Sequence, residues 1–382
     1  MDREACRIIG ITGTNGKSTT GKILQYLLEL QGIKAAFFDT KEMIDQVGVY
    51  DHIFAKDVDI VLLEICQSHK VFSSLEKLEF DMIVHTTIEN DYVDNHTCEN
   101  AYLSFANKLF RLLSSNGIVV MNTDDKNTIC VLESLKNRMI ITYGLGSRAT
   151  VTASSMNASS GTDLACCLQR GITTQNGLEI EPMEFPIHSK MLGKHNVYNI
   201  LAAITTALIY DVPIDKIVEG FKNFKGVKRR METVFQDGCR VIDDYSHNPA
   251  GYEAVFETVQ GLDYDRLYVV NAIRGGNGVE LNRNNAQALV SFSKMVNLEK
   301  IITTCSQEAV DEKYKVMPEE RQGFHDILEQ NKINYEHREQ LSDALRLAAR
   351  TVGNRDLLLL LGAQGMDSGM PLISEMILKE KN

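Results

Sequence analysis

The sequence has no CxxC pair, no low-complexity tract, no internal repeat and no excess of positive charge. No apolar run approaches the roughly 18 residues that a membrane span requires. Each absence removes a class of protein. The eight cysteines, at 6, 66, 98, 130, 166, 167, 239 and 305, have no ligand spacing, so a zinc ribbon and a thioredoxin-like motif are excluded. Unpatterned thiols in this number fit a reducing compartment, where they serve as small buried hydrophobes. The formal net charge of −11 argues against a nucleic-acid partner, which calls for a basic face. The N-terminus lacks the charged-then-apolar pattern of an export signal. A cytoplasmic protein is expected, monomeric or homodimeric, without membrane or nucleic-acid partners.

What is present is ordinary globular material: 382 residues, 44% hydrophobic and 24% charged, enough for at least two cores. The first forty residues read strand (Arg7 to Ile11), glycine loop, helix (Thr19 to Leu30) and strand (Ala35 to Phe38). Further strand-like runs at Ile60 to Ile65, Met82 to Thr86, Ile118 to Met121 and Met139 to Thr142 alternate with helical stretches, which predicts a parallel sheet covered on both faces. From Val151 to about Lys190 the alternation shortens, predicting antiparallel strands appended to that sheet. An apolar helix follows over Asn196 to Tyr210. A second βαβ series begins near Arg240 and ends on the apolar strand Asp356 to Leu361. The expected fold is α/β in two domains, residues 1–228 and 229–382, divided where Gly226 and a basic cluster interrupt the pattern.

The loop Gly13-Thr14-Asn15-Gly16-Lys17-Ser18 carries the first chemical signal. A strand, a tight glycine turn and a helix present bare N–H groups to an anion at a helix N-terminus. Lys17 adds a point charge for the β- and γ-phosphates, and the Ser18 hydroxyl is placed to ligate Mg²⁺. Position 11 is isoleucine, so only the GxxGKS core of the longer phosphate-loop pattern is present. The loop predicts ATP as the ligand.

With its flanks, Gly10 to Thr19, the loop resembles that of the Mur ligase superfamily, ATP-dependent carboxylate ligases that include the peptidoglycan peptide ligases, cyanophycin synthetase and folylpolyglutamate synthase. The resemblance continues in order along the chain. Leu63 to His69 is similar to an E-x-S-S-H/F segment and implies that Glu64 ligates magnesium. Thr86 to Asp94 resembles T-N-x-x-x-D-H-L-D, with Tyr92 where the family has a metal-binding histidine. Asp91, Asp94 or His96 is then the replacement, or a second divalent cation is held differently; His96 is also a substrate candidate. Tyr102 to Phe110 resembles Y-x-x-A-K-x-x-L-F and implies a carbamylated Lys108, against the plainer reading of a solvated helix lysine. Asn122 to Asp125 matches a strand-end turn near the nucleotide.

Gly193 to Asn199 is similar to G-x-H-N-x-x-N and implies that Asn196 and Asn199 approach the base, with helix capping the alternative for Asn196. Gly226 to Glu232 resembles the G-v-x-x-R-x-E hinge, making Arg230 the phosphate contact and Arg229 a solvated neighbour. Asp243 to Pro249 resembles D-Y-A-H-N-P and implies that Asp244 binds the ribose, with Tyr245 and His247 nearby. The resemblance implies a P-loop ATPase domain followed by a Rossmann-like domain that closes over ATP. Because the loop opens at residue 10, a short form without the UDP-sugar domain is expected, and a UDP-MurNAc-peptide substrate is not. Leu361 to Met366 replaces a G-K-G-H-E type ending. Arg274, in the glycine-rich stretch Asn271 to Asn282, is a candidate for gripping a substrate carboxylate or else a solvated loop arginine.

The implied chemistry is activation of a small-molecule carboxylate as an acyl phosphate, with ADP and phosphate released. An amine is the default nucleophile. The alternative is an internal carbon nucleophile, as in the short relative that closes a carbocycle on a propionate of the nickel tetrapyrrole coenzyme of methanogens. A nucleotide-binding scaffold without catalysis is a third possibility, opposed by the presence of Lys17, Ser18, Glu64, Arg230 and Asp244 together.

Overall fold

The structure is a computed structural model that describes residues 6–44, 53, 57–87, 98–132, 135–157, 161–236 and 238–380. The chain forms two compact units, Met1–Lys190 with Lys194–Lys225, and Met191–Gly193 with Gly226–Asn382.

The first unit alternates strand and helix through β1 (Arg7–Thr12), α1 (Lys17–Leu30), β2 (Ala35–Asp39), α2 (Thr40–Ile44), β3 (Ile60–Glu64), α3 (His69–Leu75), β4 (Phe80–His85), α4 (Cys98–Phe110), β5 (Leu113–Asn122), α5 (Ile129–Leu132) and β6 (Met139–Tyr143). It continues through β7 (Val151–Asn157), β8 (Thr162–Leu168), β9 (Ile172–Thr173), β10 (Glu179–Ile180), β11 (Met183–Ser189), α6 (Lys194–Ile209) and α7 (Ile214–Asn223). Among the described residues the main sheet has the order β11-β8-β7-β6-β5-β4-β1-β3-β2. Pairing is parallel from β2 to β7 and antiparallel from β7 through β8 to β11. The side-chain pattern explains the change. Strand β3 is buried at every position, as a strand covered on both faces must be, whereas β8 and β11 alternate buried with open positions.

Under one face lies a core in which Val61, Leu63 and Ile83 of the sheet meet Phe105 and Leu109 of α4. Helix α6 is buried on all sides from Val197 to Ile209 apart from Tyr198, and it packs against α1. That is the place of a helix apolar around its whole circumference.

The second unit contains β12 (Glu232–Gln236), β13 (Cys239–Asp244), α8 (Pro249–Val259), β14 (Leu267–Ala272), α9 (Val279–Phe292), β15 (Leu298–Thr304), α10 (Pro318–Gln330), β16 (Tyr335–Arg338), α11 (Leu341–Thr351), β17 (Leu357–Leu361) and α12 (Gly369–Glu380). Its sheet has the order β12-β13-β17-β14-β15-β16, antiparallel only at β12–β13. Central strand β17, five consecutive leucines, is wholly buried. Cores form on both faces of this sheet, around Phe256, Leu289 and Phe324 on one and Leu345, Met366 and Ile373 on the other. The α/β class with a parallel P-loop sheet and a Rossmann-like unit is thus as the sequence led us to expect.

Candidate active site

The phosphate loop is held from three directions. Strand β1 delivers it between β3 and β4, with Ile11 level with Glu64 and Thr12 level with His85. The end of β4 then pins it: the Thr14 amide donates to the Thr87 carbonyl at 2.7 Å, and the Thr86 hydroxyl donates to the Asn15 carbonyl at 2.7 Å. Gly13, at φ 133°, lies so close to Thr86 that a Cβ would overlap its hydroxyl. Gly16 starts α1 in the left-handed region at φ 86°, and a Cβ there would run into Asn199 Oδ1. Both glycines are therefore required by conformation and by space.

Lys17 Nζ arches back over the loop and donates to the carbonyls of Gly13 and Thr14, each at 2.8 Å. Its charge and that of Glu64 both reach the buried Cys66 thiol, which burial pushes upward from its ordinary range. The lysine, the carboxylate and the loop therefore share one neighbourhood. Glu64 is 7% exposed at the end of β3, where its carbonyl accepts from Thr40 Oγ1 at 2.7 Å. Ser18 and Thr19 open α1, with Thr19 buried. Lys108 is exposed near the end of α4, its Nζ 5.9 Å from the ring centre of Phe72 on α3, the helix that follows Glu64. His96, Asp91, Tyr92 and Asp94 lie outside the described residues.

Asn196 and Asn199 take a position the sequence does not reveal. Helix α6 begins at Lys194, so Asn196 lies within the first turn rather than ahead of it, which overturns the capping alternative. Both side chains are buried. Asn199 Nδ2 donates to Asn196 Oδ1 at 3.0 Å, and Thr20 Oγ1 donates to Asn199 Oδ1 at 3.4 Å, so the pair stands directly behind Gly16. Asp124, expected near the nucleotide, accepts from the Leu145 and Gly146 amides and from Tyr198 Oη at 3.1 Å. It ties down the turn after β6.

The second unit gathers Arg229, Arg230, Asp244, Tyr245, His247 and Arg274 at the C-terminal edge of β13 and β14, the edge at which parallel α/β sheets bind ligands. One expectation is reversed here. Arg229 is no solvated neighbour: its side chain is 13% exposed, Nε pairs with Asp243 at 3.2 Å, the guanidinium donates to the carbonyls of Gly362 and Ala363, and it also meets Asp367. The cause lies in the backbone. Arg229 (φ 56°) and Met231 (φ 52°) both occupy the left-handed region, turning Arg229 inward. Burial pushes the Asp243 carboxyl up to about 7, while Arg229 beside it pulls the other way.

Asp244 secures that turn. Its Oδ2 accepts from the Met231 amide at 2.9 Å and its Oδ1 from Ser246 Oγ at 2.6 Å. Both guanidiniums approach the Tyr245 ring, Arg229 at 5.0 Å and Arg230 at 4.8 Å from its centre, and the ring meets that of His247 edge-on. Arg274 donates to the His247 carbonyl at 2.8 Å, and its backbone is clasped by the Asn282 amide. Its Nε is buried without a hydrogen-bond partner among the described residues, an unused donor at this edge. The glycine loop after Arg274 wraps the buried carboxylate of Glu320, which accepts from the amides of Gly276, Asn277 and Gly278.

A phosphate loop on a parallel sheet, followed by a Rossmann-like unit with a left-handed turn at Arg229 and Met231, defines an ATP-using α/β enzyme. The Mur ligase middle domain matches residues 11–207, and the Mur ligase, glutamate ligase domain matches residues 229–364. The chain belongs to the Mur ligase family of ATP-dependent ligases. It is 27% identical over 378 residues to the UDP-N-acetylmuramoyl-L-alanyl-D-glutamate–2,6-diaminopimelate ligase of Chlamydia abortus, covering 93% of this chain and 72% of that protein. It is 26% identical over 290 residues to the enzyme of that name from Listeria monocytogenes, covering 70% of this chain and 57% of that protein. The structure matches folylpolyglutamate synthase of Mycobacterium tuberculosis, complexed with ADP, with a TM-score of 0.71 at 14% identity over 96% of this chain and 90% of that one. The MurF ligase of Thermotoga maritima in complex with ADP matches with a TM-score of 0.69 at 16% identity, covering 98% and 80%.

Proposed function

We propose that this chain uses ATP to convert a substrate carboxylate into an acyl phosphate and passes the acyl group to an amine, releasing ADP and phosphate. The observation that carries the proposal is the loop itself, with Gly13 and Gly16 fitted against Thr86 and Asn199 and Lys17 arched over it. The ADP named with two fold neighbours and the relatives named for ligating 2,6-diaminopimelate support nucleotide and amine respectively.

A carboxylate is a poor electrophile. Its oxygen attacks the γ-phosphorus, ADP leaves, and the resulting acyl phosphate yields to the amine with phosphate as leaving group. The loop amides and Lys17 hold the phosphoryl group where charge develops. The buried carboxylate of Glu64 beside the loop fits a hard cation: Ser18 and Glu64 would hold magnesium, which neutralises phosphate charge, and Lys108 as its carbamate would hold a second cation. Arg230 is assigned to phosphate, Asp244 to the ribose with Tyr245 and His247 beside it, Asn196 and Asn199 to the base side of the loop, and Arg274 to a substrate carboxylate.

The test is ADP release with panels of carboxylates and amines, with hydroxylamine present to intercept the acyl phosphate. Substrate-stimulated ADP release with hydroxamate formation is expected. With hydroxylamine left out, conversion of the carboxylate to a product that lacks the amine points to an internal carbon nucleophile, and no substrate-stimulated turnover with any panel member points to a scaffold; either result removes the amide reading.

A further inference from the structure

One cluster of ligand-type side chains lies outside the chemistry above. Strands β15 and β16 run parallel, with Thr303 level with His337 and Thr304 with Arg338. Side chains two residues apart on a strand share a face. Cys305, two past Thr303, and Glu339, two past His337, continue that face just beyond the strand ends. The Gln307 amide donates to the Glu339 carbonyl at 3.2 Å and ties the two exits together. Three different donor atoms meet as a result. Cys305 Sγ is 3.9 Å from His337 Nε2, which is 3.4 Å from Glu339 Oε1, and all three lie within 4.8 Å of one another.

This is not a nucleophile relay. In a thiol–imidazole–carboxylate relay the acid takes the far nitrogen of the ring. Here the thiol and the carboxylate both face Nε2, while Nδ1 meets Thr303 Oγ1 at 3.0 Å. Burial also pushes the Cys305 thiol up to about 12, the opposite of an activated nucleophile. A histidine whose far nitrogen is anchored by a neighbouring group, with mixed donors converging on the near one, has the arrangement of a metal ligand. Tetrahedral zinc, bound at about 2.0–2.3 Å, sets its ligand atoms roughly 3.3–3.7 Å apart, close to what the cluster presents. The Thr303 hydroxyl also meets His325 Nε2 at 3.0 Å. When His337 Nδ1 donates to Thr303 and Thr303 donates to His325, Nε2 keeps its lone pair. Arg321 pairs with Glu339 Oε1, and its side chain is 35% exposed, so it has room to leave.

We propose that Cys305, His337 and Glu339 form a binding site for a divalent transition metal of the zinc class, with Arg321 as the competing cation on Glu339. Thiolate and imidazole together select zinc or cobalt over magnesium. Three protein ligands leave a fourth position for water or a small ligand.

The test is titration of the full chain with Co²⁺, followed by competition with Zn²⁺. One equivalent of cobalt is expected to give an intense thiolate-to-cobalt charge-transfer band, which zinc removes and magnesium does not. Cobalt held by Ser18 and Glu64 gives no sulfur band, so the two sites are told apart. Both Cys305→Ser and His337→Ala are expected to abolish the band, and Arg321→Ala to tighten binding by about tenfold. Absence of the band in the wild-type chain, or its survival in either ligand variant, overturns the proposal. Should one variant fail to fold, the other and the wild-type spectrum decide.

Discussion

The carboxamide oxygen of Asn199 fills the space that a side chain at position 16 would need, so α6 and the phosphate loop are fitted to one another. Two costs follow for Gly16→Ala: the left-handed φ, about 1–2 kcal/mol for a non-glycine residue, and the overlap with Asn199. Asn199→Ala removes only the second. Titration of ATP into both single variants and the double is expected to show Gly16→Ala costing less in the Asn199→Ala background. Equal costs in both backgrounds would mean that the two residues do not couple.

Arg229 and Arg230 are adjacent in sequence and opposite in role. Arg229→Ala leaves the Asp243 carboxyl and the Gly362 and Ala363 carbonyls without the guanidinium that donates to them, so it is expected to destabilise the second unit by about 3–5 kcal/mol, read by denaturant unfolding. Arg230→Ala loses its approach to Tyr245, about 0.5–1 kcal/mol, but lowers ATP turnover by at least about tenfold if it meets phosphate. Reversal of the two patterns would exchange the assignments.

His85 should make the first unit acid-sensitive. Burial lowers it from 6.5 to about 4. The unfolded chain therefore takes up this proton before the folded one does. The stability contributed is present above pH 6.5 and is lost as pH falls toward 4, by about 3 kcal/mol in all. His85→Asn lowers absolute stability through lost packing, yet its melting temperature is expected to fall less steeply between pH 6.5 and 4. Parallel pH profiles for the two chains would refute this.

Lys108 can act on a cation only as its carbamate, since an ammonium is no ligand. Lys108→Ala is expected to leave ATP binding within about twofold and to reduce ligase turnover by at least about 100-fold. Turnover of the wild-type chain is expected to rise with added bicarbonate. Turnover indifferent to both changes would return Lys108 to a helix-surface lysine.

Much of the fold was legible because its strands carry their burial in their spelling. Ile60 to Leu63 and the five leucines of β17 are unbroken apolar runs, and the burial of Thr162 to Leu168 alternates. The loop was legible too, since a glycine turn between strand and helix has few other uses. Helices α9 and α10 were not, because their polar residues break the period; Glu320 of α10 even turns inward, beneath the amides of the 276–278 loop. The site was legible in identity more than in geometry. Asn199 reaches Thr20 across 179 residues, and no local pattern announces that. Which of two consecutive arginines turns inward depends on the left-handed backbone at 229 and 231. The Cys305, His337 and Glu339 cluster exists only through the register of β15 on β16; the one trace in sequence is the i, i+2 spacing of Thr303 with Cys305 and of His337 with Glu339.

The central claim is that the loop from Gly13 to Ser18 binds the phosphates of ATP, with Lys17 as its charge. Calorimetric titration of ATP with magnesium into the wild-type chain and into Lys17→Ala tests it most directly. The variant should bind at least about tenfold more weakly while melting within a few degrees of wild type, because among the described residues Lys17 donates only to carbonyls of its own loop. Equal affinities would place the nucleotide elsewhere and contradict the account.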